Sequence, residues 1–115
     1  MSFVSISTIR RKIQQYCKQI NAPKRLITIR TTPSGFGDPH IEIDNKGYHY
    51  VIWERGSEHR RRTTKDVNDL LYWLMMDITF SMASTYELEN RIPNQDSRRL
   101  LFETQLNLLK KININ

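Results

Sequence analysis

Near the start of the chain Ile6, Ile9, Ile13, Tyr16, Cys17 and Ile20 recur at intervals of three and four, while Arg10, Arg11, Gln14, Gln15 and Lys18 fall between them. That spacing puts the apolar set on one side of an α-helix, so an amphipathic first helix is predicted, capped by Ser5 or Ser7. Pro23 ends it, because proline cannot continue the hydrogen-bond ladder and pushes the preceding residue toward extended geometry. Residues 25–31 then read as a strand. Residues 33–39 combine two prolines and two glycines around Phe36 and predict an irregular loop.

A period of two follows. In residues 40–44, Ile41 and Ile43 alternate with His40, Glu42 and Asp44; in residues 48–55, Tyr48, Tyr50 and Ile52 alternate with His49, Val51 and Trp53. The separators Asn45-Lys-Gly47 and Gly56-Ser57 are hairpin signals, and the middle run is apolar on both faces, as a central strand should be. The third run, residues 58–63, carries Arg60, Arg61 and Arg62. Adjacent arginines suit a sheet edge, where charge discourages pairing with a foreign strand. An antiparallel meander ending at this strand is expected.

From Thr63 the period becomes helical. Val67, Leu70, Leu71, Leu74, Ile78 and Met82 form one stripe, widened by Trp73, Phe80 and Tyr86, with a threonine cap and with Asp66 and Asp69 suiting the positive end of the helix dipole. Continuous to Arg91, it would have about 28 residues and a length of about 40 Å, so it must protrude or bend near residues 81–84. Pro93 breaks the chain. Asn94 or Asp96 can cap a last helix whose apolar set is Leu101, Phe102, Leu106, Leu108, Leu109 and Ile112. The expected architecture is α+β: an N-terminal helix, a small antiparallel sheet of about four strands, then two helices packed on one face of the sheet. With no repeat, no low-complexity tract and no linker, residues 1–115 read as one domain.

Composition narrows the function classes. With 38% hydrophobic and 26% charged residues among 115, the chain can bury a core and is not intrinsically disordered. Its longest apolar segment, residues 70–82, is interrupted by Asp77 and falls short of the roughly 20 residues a membrane span needs. No signal peptide is visible, because the basic residues follow the apolar start; a cytoplasmic, soluble protein is expected. Net charge is +6, and residues 1–37 hold seven Lys/Arg and no acid. A basic end attracts polyanions or acidic proteins, or is simply a solvated helix face.

Catalytic patterns are weak. His40, His49 and His59 are about ten residues apart on predicted strands and lack an HExxH-type spacing, so no metal site is assigned. Cys17 sits among Tyr16, Ile13 and Ile20, where burial raises a thiol pKa; it reads as core. Gly35-Phe-Gly37 lacks the Gly-Lys-Ser/Thr of a phosphate cradle, and no cofactor is expected. Asp77, between Trp73, Leu74, Ile78 and Phe80, needs a partner if buried, and an arginine from the sheet or the last helix is the natural one. Arg98 and Arg99 oppose the dipole of the last helix and call for acidic compensation, with Glu103, Glu87 and Glu89 within reach. Asp77, Arg98 and Arg99 are the candidate structural ion-pair residues.

Residues Arg61-Arg-Thr-Thr-Lys-Asp-Val-Asn-Asp-Leu-Leu-Tyr-Trp73, Asp77-Ile-Thr-Phe-Ser-Met-Ala83, Tyr86-Glu-Leu88, Arg91-Ile92, Gln95-Asp-Ser-Arg-Arg-Leu-Leu-Phe102 and Gln105 resemble the immunity protein 63 family. With Gly47-Tyr-His-Tyr-Val and Glu54-Arg-Gly56 upstream, the resemblance covers about residues 47–110. It implies a non-enzymatic inhibitor from bacterial polymorphic-toxin or contact-dependent inhibition systems. Such a protein stays in the producing cell's cytoplasm and binds a cognate toxin domain stoichiometrically, as a monomer in the complex, occluding or distorting its active site. Inhibitors of nuclease toxins are often acidic, and this basic chain departs from that pattern.

The resemblance carries over no interface residues. Loops and sheet edges are where a rigid scaffold displays recognition groups, so Phe36, Trp53, Arg55, Arg60 and Arg62 are the candidate toxin-binding residues. The alternative is a small basic nucleic-acid-binding regulator using the arginines beside Trp53 and Tyr50, although neither an aromatic RNP pattern nor a GxxG loop is present.

Overall fold

The computed structural model describes residues 3–34 and 36–112, apart from the side chain of Phe36. Helix α1 spans Ile6–Gln19, with the Ser5 hydroxyl accepting from the Thr8 amide at 3.2 Å. Ile9, Ile13 and Cys17 are buried on its inner side. Its end is a Schellman motif: Asn21 adopts φ 55°, the Ala22 amide donates to Cys17 O at 2.9 Å, and the Asn21 amide donates to Lys18 O at 3.4 Å.

The strand expected over residues 25–31 does not form. Lys24–Leu26 closes a single 3₁₀ turn after Pro23, and the following segment touches the sheet through one parallel bridge, Arg30 to His40. A parallel ladder needs a crossover of about a dozen residues, and only residues 31–35 join this segment to the strand beside it. Ile29 is still buried, so the segment contributes to the core without pairing as a strand.

The sheet therefore has three strands and not about four, in the order β1-β2-β3: β1 Phe36–Asp44, β2 Gly47–Glu54 and β3 Ser57–Thr64, all antiparallel. β1 begins inside the expected loop. Its register is irregular between Phe36 and Pro39, and Pro39 is tolerated on an outer strand. Arg55 and Gly56 form the β2–β3 turn, both with positive φ, as a type I′ hairpin requires. Strand alternation sorts the side chains: Ile41, Ile43, Tyr48, Tyr50, Ile52, Arg60 and Arg62 share one face, and His40, Glu42, His49, Val51, Arg61 and Thr63 the other.

Helix α2, Val67–Glu89, is unbroken over 23 residues, and Asp66, not a threonine, is its cap. Leu70, Leu71, Leu74, Met75 and Ile78 join Ile9, Ile13, Cys17, Ile41, Tyr48 and Tyr50 in the core. The protrusion expected of so long a helix is seen in its last turn and in the connection to α3, where residues 88–99 are all exposed. Helix α3, Ser97–Lys110, is capped by Asp96 and packs chiefly on α2, not on the sheet. The order is thus one helix, three strands and two helices, with α2 against the sheet and α1 and α3 against α2. Among the described residues no helix is long and apolar enough to cross a membrane.

Candidate functional site

Helix α3 buries little of its own apolar set. Among the described residues its buried one is Gln105, whose side-chain amide donates to Met76 O at 3.1 Å and to the Thr79 hydroxyl at 3.2 Å. Phe102 stays 59% exposed, and across the helix pair Tyr72 and Phe80 are 48% and 49% exposed. Tyr72, Met76 and Phe80 fall at i, i+4 and i+8, so they form a second row on α2 beside the core stripe. With Phe102 they make the apolar wall of a groove of about 600 Å³ between the helices and the sheet.

The sheet side of the groove is cationic and aromatic. Arg60 lies opposite Ile52, and Arg62 lies opposite Tyr50. The Arg62 guanidinium sits over two rings, 5.8 Å from the Tyr50 centroid and 5.7 Å from that of Trp73; the rings themselves meet edge to face at 6.2 Å. These contacts fix the guanidinium in place without using its N–H groups. Among the described residues neither the Arg60 nor the Arg62 side chain makes a hydrogen bond or ion pair. Arg61, between them, points to the other face and is committed to Glu58 at 2.8 Å and Glu42 at 3.2 Å.

Asp77 lines the same groove. An arginine is its expected partner; the structure supplies the Tyr50 hydroxyl, at 2.5 Å, and Arg62 acts on it only through space. The residue as a whole is more than a third exposed. Partial burial raises the carboxyl pKa above the ordinary 3.8, against the opposing pull of the Tyr50 hydrogen bond and the Arg62 charge. The Tyr50 phenol is pushed up by burial and by Asp77.

The other candidates are dispersed. Trp53 alternates to the opposite sheet face, Arg55 holds the left-handed turn position, and the side chain of Phe36 lies outside the described residues. Arg98 bonds the capping carboxylate of Asp96 at 3.0 Å, and Arg99 bonds Glu103 at 3.2 Å, both on the surface. Glu87 pairs with Arg91. On the polar sheet face His40 meets Glu42 and His49 meets Asp44, each at 2.8 Å; beside the β2–β3 turn His59 lies 3.8 Å from Glu54. Among the described residues no group of three or more His, Cys, Asp or Glu is arranged to hold a metal ion. Cys17 is buried in the core, which pushes its thiol up to about 11. Tyr72, Phe80 and Phe102 are missing from the sequence-derived site because an apolar residue on an amphipathic helix reads as core. The available signal is the second row at 72, 76 and 80, more apolar surface than one core face uses.

The sequence model of the immunity protein 63 family matches residues 44–115. The chain belongs to the immunity protein 63 family. No curated protein and no solved structure matches it. Every residue lining the groove, from Tyr50 to Gln105, falls within the immunity protein 63 match. A second cleft, of about 330 Å³, draws Arg25, Leu26, Thr28, Ile29, Arg30, Asp38 and Pro39 from outside it. The groove therefore lies wholly within the family's own part of the fold.

Proposed function

We propose that the protein neutralises a cognate bacterial toxin domain by binding it one-to-one, as a monomer in the complex, and that the groove between β3 and the α2–α3 pair is the contact surface. It acts in the cytoplasm of the cell that makes the toxin, within a polymorphic-toxin or contact-dependent inhibition system, and catalyses no reaction of its own. Family membership is the observation that carries this reading. The groove supports its placement: exposed aromatics beside arginines are the composition of interface hot spots, and contiguous apolar surface on a small domain marks a site of association.

The test is to express the toxin domain encoded beside this chain with and without it. Growth rescue and co-elution as a one-to-one complex are expected. Survival of the toxin's killing in the presence of the folded chain would refute the assignment.

A further inference from the structure

We infer that the groove is built for an acidic segment of the toxin, with its carboxylates received by Arg62 and Arg60 and its apolar side chains laid along Tyr72, Met76, Phe80 and Phe102. This rests on the immunity reading and adds the chemistry of the contact. Three observations carry it.

First, Arg62 is held but unsatisfied. A guanidinium carries five N–H donors in a fork that matches a carboxylate, and here both aromatic contacts engage its face while leaving the fork free among the described residues. Tyr50 and Trp73 are thus positioning residues for Arg62, and little conformational entropy remains to be lost when an acid arrives. Second, Arg60 stands two residues away on the same face, about 7 Å along the strand, also without a carboxylate. Arg61 shows the contrast, since acids of the opposite face already hold it. Third, Asp77, the one acid lining the groove among the described residues, takes its hydrogen bond from Tyr50 and forms no ion pair with Arg62, so it leaves that fork open. Asp77 opposes an incoming carboxylate, so its charge tempers the site.

Affinity of the full-length protein for the purified toxin domain distinguishes the outcomes. Arg62→Ala is expected to weaken binding about 30-fold or more, the range of an interface anchor. Arg62→Lys should recover little of that loss, because a point charge cannot reproduce the fork. Arg60→Glu should weaken binding by repulsion, and Asp77→Asn should tighten it. Raising salt from about 0.1 M to about 1 M, which shortens the Debye length from about 10 Å to about 3 Å, should weaken the wild-type complex and leave Arg62→Ala less sensitive. Lys46→Ala, which removes an exposed charge at the β1–β2 turn outside the groove, should bind as wild type. Both arginines are exposed, and unchanged thermal unfolding of the variants will show that they fold.

Tight, salt-insensitive binding and full rescue by Arg62→Ala and Arg60→Glu would overturn the acidic-segment proposal and leave the immunity reading standing. Failure of the wild type to bind or rescue would remove the immunity reading itself. Equally tight binding of a single-stranded oligonucleotide, lost in Arg62→Ala, would reassign the groove to nucleic acid and overturn the proposal.

Discussion

The Tyr50 hydroxyl donates to Oδ2 of Asp77 at 2.5 Å, tying the middle of the central strand to the middle of α2. Tyr50 is 6% exposed, so removing the acceptor strands a buried hydroxyl. Asp77→Ala is expected to lower stability by about 1–3 kcal/mol. Asp77→Asn keeps an acceptor and discards the charge. The carboxyl pKa is raised in the folded state, so its contribution is complete below the unfolded value of 3.8 and is lost as pH rises through the folded pKa. Denaturant unfolding should therefore find wild type and Asp77→Asn closest near pH about 4 and the asparagine variant ahead near pH about 7. Wild-type stability in Asp77→Ala would sink this account.

Gly47 and Gly56 both have positive φ, 136° and 80°, yet they differ in what surrounds them. A Cβ on Gly47 would lie 2.4 Å from the backbone oxygen of Thr64, where β3 gives way to α2, whereas one on Gly56 would meet nothing within 4 Å. Gly47→Ala must therefore shift backbone as well as accept strain, and should lower stability by about 2–4 kcal/mol. Gly56→Ala carries only the left-handed conformation and should lose about 1 kcal/mol. Comparing their urea midpoints checks this, and equal losses would show that the close approach at Thr64 O relaxes freely.

Much of this fold is legible in sequence because its signals are local. The α1 face of Ile9, Ile13 and Cys17, the tyrosines Tyr48 and Tyr50 of the central strand, and the stripe from Leu70 to Ile78 each report burial, and burial is what the structure shows. The segment around Ile29 misleads because alternation marks an extended, half-buried chain and says nothing about whether a neighbouring strand can be reached. The groove is illegible for a related reason. Arg60 and Arg62 are visible as charges, but their juxtaposition with Phe80 and Phe102 depends on how far α3 settles onto α2, and Gln105 settles that through Met76 and Thr79, residues more than 25 positions away. Asp77 illustrates both sides: its need for a partner follows from its apolar neighbours, whereas a tyrosine as that partner follows only from the packing of α2 on β2.

Arg61 crosses the sheet on the face away from the helices, reaching from β3 over the central strand to Glu42 on β1 while also holding Glu58. Beneath this bridge Val51 is fully buried, although it is not part of the helix-facing core. Two effects are therefore combined in one side chain: its stem shields Val51, and its fork neutralises two acids. Hydrogen bonding from His40, reinforced by Arg61, holds the Glu42 carboxyl below the ordinary 4.5, and Arg61 does the same for Glu58. Depressed carboxyl pKa values give stability that is complete above the unfolded value and is lost as pH falls through the folded one. The stability gap between wild type and Arg61→Ala should therefore be constant above pH 4.5 and narrow below it. Arg61→Lys, with a shorter reach and no fork, should fall between the two. Denaturant unfolding of the three proteins from pH about 7 down to about 2 measures the gap. A gap that does not change across that range would mean that Arg61 stabilises the sheet only by covering Val51.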